Sequence, residues 1–356
     1  MKSPLLLCAL SLVLLTQCEK KEAAPGPATP PIIPPFAGTL RSVAPFPFGG
    51  AVSAGLLRSR PAYGQVAARE YSSITAENAM KMGALHPTAT TYNWTDADFV
   101  VDFARLNNAR VHGHTLNWYT SLPSWVTNFV GDSTAWENLL RDHITTVVTH
   151  FRGKVASWDV VNEAFEDTGV LRNSIWVQHL GPDYIARAFQ YANAADPAAR
   201  LFYNDYGHEY SAAKRNAIFA LITNLRNRGI PIHGVGMQFH TSSNISDAQL
   251  ASTITQAGQT GLLVHISELD ISMNPSLAPT ATFTAALAAA QKVKYKAVTA
   301  AFKALPAAQR FGITTWNVAD ADTWRRGNCS CPEWPLPFDD NYQRKPAYDG
   351  IVEALQ

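Results

Sequence analysis

Two glutamates occupy equivalent places in the sequence, each at the end of a short apolar segment. Glu163 follows the run from Ala156 to Val161 and a single asparagine, and Glu268 ends the run that starts at Leu262. These runs are too short for free-standing helices and are typical of strands buried on both faces of a parallel sheet. A carboxylate at the C-terminal end of such a strand is well placed for chemistry, because open loops gather there.

The spacing of the two glutamates predicts that they face each other. They lie 105 residues apart, or 35 for each of three strand-helix units, close to the roughly 30 residues that such a unit needs. Two carboxyl groups across a barrel mouth suit cleavage of a glycosidic bond, where one protonates the leaving oxygen and the other attacks or guides water. A separation of about 5–5.5 Å would give retention of configuration and ~6.5–9.5 Å inversion, and the sequence leaves both open.

Neighbouring residues indicate which glutamate takes which role. His240 ends the apolar segment before that of Glu268, and Asp270 lies two residues beyond Glu268 on the same side of its strand. A hydrogen-bond chain from Glu268 through His240 to Asp270 would keep Glu268 ionised, as a nucleophile requires. Glu163 would then be the acid, and Asn162 is predicted to donate to the sugar hydroxyl beside the reacting carbon.

Eight apolar segments with helical patterns between most of them organise the chain from residue 41 to 356. The segments are 46–52, 71–75, 110–118, 156–162, 200–204, 232–239, 262–268 and 311–317. Intervening helices are predicted over 135–151, 183–195, 212–228 and 282–304. Alternation of strand and helix over eight repeats predicts an α/β fold, a single (β/α)₈ barrel, as one catalytic domain.

Further polar and aromatic residues recur at the same ends of these segments. Taken singly, each tryptophan is a candidate core residue, Lys81 a surface lysine, and His114 and His240 buried histidines with satisfied hydrogen bonds. Their repetition at one end instead predicts a binding cleft. The polar and aromatic residues at these ends are Glu77, Asn78, Lys81, His112, His114, Trp118, Asn204, Asp205, Tyr206, Gln238, His240, Trp316 and Trp324.

Composition narrows the class of partner. The formal net charge is +1 at pH 7 and no Lys/Arg cluster is present, which excludes nucleic acid as the expected partner and favours a neutral ligand. No cofactor is expected.

The N-terminus predicts export. Residues 1–18 combine Lys2, an apolar stretch from Leu5 to Leu15 and a Leu-Thr-Gln-Cys tetrad that resembles a lipoprotein cleavage box ending at Cys18. The apolar stretch is shorter than the roughly 20 residues that span a bilayer, so it is interpreted as an export signal. Residues 19–40 are predicted to be a proline-rich linker. We expect a cell-surface or periplasmic protein attached to the membrane through a lipidated Cys18, or otherwise a secreted one.

Cys329 and Cys331 are the two cysteines beyond the signal and Cys18. The pair is compatible with free thiols, a local disulfide or half of a metal site. A loop disulfide is the favoured interpretation, since no further cysteines supply metal ligands.

Six motifs, in order, resemble glycoside hydrolase family 10, the endo-β-1,4-xylanases, over residues 45–356. They are Ile-Thr-Ala-Glu-Asn-Ala-Met-Lys (74–81), Gly-His-Thr-Leu-Asn-Trp (113–118), Trp-Asp-Val-Val-Asn-Glu-Ala-Phe (158–165), Tyr-Asn-Asp-Tyr (203–206), Gly-Val-Gly-Met-Gln-Phe-His (234–240) and Ile-Ser-Glu-Leu-Asp-Ile (266–271). The resemblance implies a (β/α)₈ barrel that retains configuration, with Glu163 as acid/base and Glu268 as nucleophile, acting on xylan or a related β-1,4-linked polysaccharide. We expect a monomer.

The resemblance also implies where the sugars bind. It places Glu77, Asn78, Lys81, His114 and Trp118 on the non-reducing side, with Trp316 and Trp324 walling the same subsites. Gln238 and His240 match positions beside the nucleophile, and Tyr206 matches the aglycone side.

Four positions depart from the family pattern. Tyr119 stands where histidine is frequent, Gly207 replaces asparagine, Asn317 replaces glycine and Thr323 replaces serine. These departures bear on substrate preference more than on catalysis.

Two rival functions use other features. His112, His114, His240 and His265 would serve a metal-dependent hydrolase, which needs imidazoles converging with a carboxylate. That function leaves both glutamates without a role. A polysaccharide-binding lipoprotein that has lost catalysis is the second rival, and the presence of both glutamates argues against it.

Overall fold

The computed structural model describes Met1 and residues 38–356. The predicted signal from residue 2 onward, Cys18 and the linker up to residue 37 lie outside the described residues. Within the described part of the chain, no helix combines the length and apolar character needed to cross a bilayer.

A closed ring of eight parallel strands forms the centre of the fold. The described residues form nine strands, of which all but β7 belong to the ring; in chain order they are β1 Phe48–Val52, β2 Ser73–Ala76, β3 Arg110–Asn117, β4 Ser157–Asn162, β5 Arg200–Asp205, β6 Gly234–Met237, β7 His240–Ser242, β8 Leu263–Ser272 and β9 Arg310–Thr315. Neighbours pair from β1 through β6, β6 pairs with β8, and β9 closes the ring between β8 and β1. The short β7 pairs with the end of β8 only. The predicted (β/α)₈ barrel is confirmed.

Helices connect the strands and cover the outside of the ring. They are α1 Leu40–Val43, α2 Ala54–Ser59, α3 Pro61–Glu70, α4 Met82–Leu85, α5 Thr95–Leu106, α6 Ser124–Thr127, α7 Ser133–His150, α8 Ile175–Leu180, α9 Tyr184–Ala195, α10 Ala212–Asn227, α11 Asp247–Gly258, α12 Ala285–Lys303, α13 Trp324–Cys329 and α14 Pro346–Leu355, with 3₁₀ turns at Ala307–Gln309 and Asp320–Asp322. Side-chain caps explain where predicted ends were wrong. Thr284 accepts a hydrogen bond from the Leu287 amide, so α12 begins three residues later than predicted.

Two predicted strands also have different bounds. The segment predicted over 232–239 is interrupted because Phe239 takes a left-handed backbone conformation, with φ 60°. The chain then resumes as β7, whose pairing with β8 extends that strand to Ser272, beyond the predicted end at residue 268.

The interior of the ring is filled by side chains. His112, Phe202, His265 and Phe311 form a contiguous set of rings, with centroids 4.5 Å apart for the two phenylalanines. Close packing needs glycine at Gly113, where a Cβ atom would lie 2.1 Å from the Trp158 ring. The filled interior leaves the carboxyl ends of the strands as the place for a site.

The end of α13 carries the cysteine pair. Cys329 and Cys331 form a disulfide, as predicted.

Candidate active site

A cleft of about 630 Å³ opens at the carboxyl ends of the barrel strands. It is lined by Glu77, Asn78, Lys81, His114, Trp118, Tyr119, Glu163, Tyr206, Tyr210, Gln238, His240, Glu268, Trp316, Trp324 and Arg325. The cleft therefore brings together every binding residue that the sequence predicted, along with both glutamates.

Glu163 directly follows β4 and is held in a left-handed backbone conformation with φ 57°. Its amide donates to the Asn204 carbonyl on β5 at 2.9 Å, which fixes the main chain where the strand ends. The carboxylate is 8% exposed and receives Trp118 Nε1–H on Oε2 at 2.9 Å and Gln238 Nε2–H on Oε1 at 2.8 Å. The carboxyl group thus faces the cleft in a fixed orientation.

Glu268 lies within β8, and its amide donates to the Gln238 carbonyl at 3.0 Å. The side chain is 4% exposed, and Asn204 Nδ2 donates to Oε1 at 2.8 Å. Its Oε2 lies 3.1 Å from His240 Nε2. Both carboxylate oxygens therefore have donors in place before any substrate binds, which orients Glu268.

His240 connects Glu268 to a buried ion pair. Its Nδ1 lies 2.9 Å from Asp270 Oδ2, so the predicted chain from Glu268 through His240 to Asp270 is present. Burial alone would lower the pKa of His240, but the charge of Asp270 and the contacts with both carboxylates raise it to about 10. At neutral pH the imidazole is therefore a cation that donates to both acids.

Asp270 is fully buried behind His240 and does not line the cleft. It accepts Trp324 Nε1–H at 2.7 Å and Arg325 Nε–H at 2.8 Å. Burial would raise the pKa of Asp270, but the positive charges of His240 and Arg325 outweigh it and lower the pKa to about 2. The carboxylate thus stays charged and anchors the side of the cleft next to Glu268.

A second buried carboxylate supports His114, which also lines the cleft. Asp159 lies on β4, where its Oδ2 is 2.9 Å from His114 Nδ1 and 3.0 Å from His112 Nε2. Burial would raise the pKa of Asp159, but the contacts with the two histidines lower it well below its usual range. His114 is thereby fixed with its ring edge against Trp316, at a centroid distance of 5.3 Å.

One arm of the cleft combines charged and aromatic groups from the ends of β2, β3 and β9. Lys81 Nζ donates to Asn78 Oδ1 at 2.8 Å and lies 5.0 Å from the Trp118 ring and 5.8 Å from the Trp316 ring. Burial lowers the pKa of Lys81, although the carboxylates of the cleft act in the opposite direction. Burial raises the pKa of Glu77. Such a surface offers stacking faces and many hydrogen-bond partners.

The other arm is built around tyrosines. Tyr206 Oη accepts Arg172 Nη2–H at 3.2 Å, and Lys214 Nζ lies 3.0 Å from the Tyr206 ring centroid. Arg172 also lies over the Tyr119 ring, 4.1 Å from its centroid. Arg172 and Lys214 therefore hold the rings of Tyr119 and Tyr206 in place.

Asn162 is 2% exposed and does not line the cleft. Its Nδ2 donates to Glu163 Oε1 at 3.2 Å, and its Oδ1 accepts from Asn204 Nδ2 at 2.9 Å. The structure therefore links Asn162 directly to Glu163 and, through Asn204, to Glu268. The contact of Asn162 with a sugar hydroxyl stays a prediction.

Sequence reasoning missed three residues that shape the site, namely Tyr210, Arg325 and Asp159. Asn204, by contrast, was among the polar residues predicted at the strand ends, and it donates to Glu268. Arg325 gave no signal in the sequence, since its partner Asp270 is 55 positions away and belongs to another element.

The histidines considered for a metal site are bonded to other side chains of the fold. His112 and His114 share Asp159, whereas His265 Nε2 lies 2.9 Å from Thr314 Oγ1 inside the ring. Among residues 38–356, no group of three or more His, Cys, Asp or Glu side chains is arranged to hold a metal ion.

A (β/α)₈ barrel with two oriented glutamates in an aromatic cleft defines a glycoside hydrolase of the two-carboxylate type. Comparison with known proteins gives the family. The profile of glycosyl hydrolase family 10 matches residues 40–354, and the chain belongs to this family.

Similar proteins include both named enzymes and solved structures. Exoglucanase XynX from Acetivibrio thermocellus is 38% identical over 86% of this chain and 28% of the relative. Endo-1,4-beta-xylanase B from Thermotoga neapolitana is 37% identical over 83% of each. The crystal structure of xylanase 10B from Thermotoga petrophila RKU-1 in complex with xylobiose superimposes with a TM-score of 0.84 at 35% identity, covering 90% of this chain and 98% of that one. The chain spans about a quarter to a little over half of the length of several curated relatives.

Proposed function

We propose that this protein is an endo-β-1,4-xylanase that cleaves internal bonds of xylan with retention of configuration. The observation that carries the proposal is the different surroundings of the two glutamates in one cleft. Glu268 receives hydrogen bonds on both oxygens, one of them from the cationic His240, as a stable nucleophilic carboxylate does. Among the described residues, the hydrogen-bond donors to Glu163 are neutral, as suits a group that gains and loses a proton.

In the first step, Glu163 gives its proton to the glycosidic oxygen as the bond to the anomeric carbon breaks. Glu268 attacks that carbon from the opposite face and forms a glycosyl ester, with its unreacted oxygen still bonded to an amide or imidazole donor. His240 and Asn204 keep the carboxylate aimed, so little reorganisation accompanies the attack.

In the second step, the ionised Glu163 removes a proton from water, which attacks the same carbon and releases Glu268 as a carboxylate. Two inversions give overall retention. Gln238 is 2.8 Å from Glu163 and 3.4 Å from Asn162, so it holds the acid/base in place in both steps.

The lining of the cleft favours a neutral polysaccharide. Trp118, Trp316 and Trp324 offer stacking faces for sugar rings, and Asn78 and Gln238 offer neutral donors and acceptors. A complete set of these groups within one chain supports a monomer as the active species.

The test is product analysis of purified residues 38–356, which include all of α1, on soluble xylan, with the anomeric configuration followed by proton NMR from the first minutes. We expect short β-xylo-oligosaccharides to appear first. Initial α product would contradict the nucleophile assignment, and release from β-1,4-glucan in place of xylan would identify a glucanase.

We further propose that the protein is exported and held at the membrane through Cys18, on the strength of the signal-like residues 1–18. Labelling with palmitate and cell fractionation test this. A Cys18→Ser variant should lose the label and leave the membrane fraction, and an unlabelled wild type would indicate simple secretion.

A further inference from the structure

A row of hydrogen bonds connects the main chain next to Glu163 to two buried side chains of β5. The Ala164 amide donates to Tyr203 Oη at 3.0 Å, and Tyr203 Oη donates to Asp205 Oδ2 at 2.6 Å. The direction of these bonds is fixed, because the amide can only donate and the phenol has a single proton to give to Asp205. Both side chains are fully buried, and neither lines the cleft.

Asp205 is paired with a lysine that is itself fully buried. Lys214 lies in the first turn of α10, where the helix macrodipole disfavours a cation, so its place there depends on nearby carboxylates. Its Nζ lies 2.9 Å from Asp205 Oδ1, which also accepts the Tyr206 amide at 2.9 Å. Burial raises the pKa of Asp205, and the charge of Lys214 and the Tyr203 donor oppose that rise. Because each of these contacts is a donor, the arrangement fits an ionised Asp205.

The Ala164 amide belongs to the turn that aims Glu163 into the cleft. Glu163 has φ 57°, a left-handed conformation that costs free energy in a residue with a side chain, so neighbouring contacts must hold it. Its amide donates to the Asn204 carbonyl, and its carbonyl accepts Arg172 Nε–H at 3.1 Å. The bond from Ala164 to Tyr203 is the third such contact. Together the three contacts fix both peptide groups that flank the Glu163 Cα.

We propose that Tyr203 and Asp205 are positioning residues for the acid/base, acting through the Ala164 amide on the turn at Glu163. Glu268 has donors of its own, so the nucleophile is held separately. Loosening the turn should impair the steps in which Glu163 transfers a proton and spare the attack by Glu268. This inference rests on the proposed function, because it assumes the roles given there to the two glutamates.

The first test uses Tyr203→Phe, which removes the hydroxyl and keeps the ring, with two substrates that carry the same sugars. Phenyl β-xylobioside needs a proton for its leaving group, whereas 2,4-dinitrophenyl β-xylobioside does not. We expect kcat/KM to fall about tenfold on the phenyl substrate, as for loss of a hydrogen bond to a charged group, and to stay unchanged on the dinitrophenyl substrate.

The dinitrophenyl substrate gives a second readout, which a merely structural role would not move. Its kcat/KM reports the attack by Glu268, and its kcat reports breakdown of the glycosyl-enzyme, in which Glu163 removes a proton from water. In Tyr203→Phe, kcat and KM should therefore fall together by about tenfold. Equal losses of kcat/KM on both substrates would overturn the proposal, and so would wild-type values on both.

The matched control is Tyr348→Phe. Tyr348 is also buried, and its Oη donates to the buried Glu70 Oε2 at 2.9 Å, outside the cleft lining. This variant should lower the melting temperature but leave the rates on both substrates unchanged, and the same split between substrates in it would contradict the proposal. A wild type that is inactive on both xylobiosides and on xylan would instead refute the proposed function.

A double variant tests Asp205 and also serves if Tyr203→Phe does not fold. Asp205→Asn with Lys214→Met removes both charges of the buried pair, so no uncompensated charge is left behind. Lys214 also contacts the Tyr206 ring, so a loss common to both substrates is expected, and the ratio between the substrates is the readout. Because Tyr203 loses only its charged acceptor, kcat/KM on the phenyl substrate should fall about threefold further than on the dinitrophenyl substrate. An unchanged ratio in the folded double variant would overturn the role of Asp205.

Discussion

Asp270→Asn is the substitution that best tests the hydrogen-bond chain from Glu268 through His240 to Asp270. The substitution removes the charge that His240 and Arg325 share, and it keeps the size of the side chain. The fall of the Asp270 pKa from 3.8 to about 2 corresponds to about 2.5 kcal/mol of favourable interaction. Because Asp270 is fully buried, we expect the free energy of unfolding at pH 7 to fall by about 3 kcal/mol.

The sign of the pH dependence follows from the two shifts. The lowered pKa of Asp270 contributes stability that is present above about pH 4 and lost as pH falls through about 2. The raised pKa of His240 contributes stability that is present below about pH 6.5 and lost as pH rises through about 10. In Asp270→Asn, the pKa of His240 should return toward its ordinary range, because its main stabilising charge is gone.

The assay uses 2,4-dinitrophenyl β-xylobioside, whose leaving group needs no proton from Glu163. On this substrate, the alkaline limb of the pH profile of kcat/KM reports the loss of a proton from His240, the donor that orients Glu268. It should move from near pH 10 in the wild type toward about 6.5 in Asp270→Asn. At pH 8, the variant should be roughly 10- to 100-fold slower, as expected for loss of a charged hydrogen bond.

Asp320→Asn is the matched control. Asp320 is buried and paired with Lys345 at 2.7 Å, outside the cleft lining. It should lower stability without moving the alkaline limb. If the alkaline limbs of wild type and Asp270→Asn fall at the same pH, the reasoning is refuted, because Asp270 would then not raise the pKa of His240.

Three further variants test the remaining roles. Glu268→Ala should lower hydrolysis by about 10⁵-fold, and added azide should restore cleavage with an α-configured product; unchanged activity would show that the nucleophile is another residue. Glu163→Ala should lose about 10³-fold on xylan but little on the dinitrophenyl substrate, and equal losses on both would contradict its role as acid. Trp118→Phe removes the donor 2.9 Å from Glu163 Oε2 and should lower kcat/KM on xylan about tenfold with little change in melting temperature, whereas wild-type rates would show that this bond does not matter.

The barrel was predictable because strand and helix periods alternate plainly along the chain. A segment such as 156–162 is apolar because both faces of its strand are buried, and that leaves a direct trace in sequence. The strand-end rule then located Glu163 and Glu268 with their aromatic neighbours.

The features of the fold and site that the sequence did not predict depend on contacts between residues far apart in the chain, which leave no local sequence pattern. Phe239 interrupts its strand through a left-handed backbone that its residue type does not signal. Arg325 lines the cleft but is held by the buried Asp270 on another element, and Asp159 acts on the cleft through His114. The direction of the Asn162 amide is likewise set by Asn204 and Glu163 in three dimensions.

Both glutamates are attached through their own amides to the main chain of a neighbouring strand, Glu163 to Asn204 and Glu268 to Gln238. Their relative placement is therefore a property of the barrel register, and the loops that rim the cleft are free to vary around it. For protein engineering, loops grafted from other family members onto this scaffold should change which polysaccharides are accepted while the stereochemical outcome stays the same. The same separation explains how one barrel can diversify in substrate range during evolution without rebuilding its reaction centre.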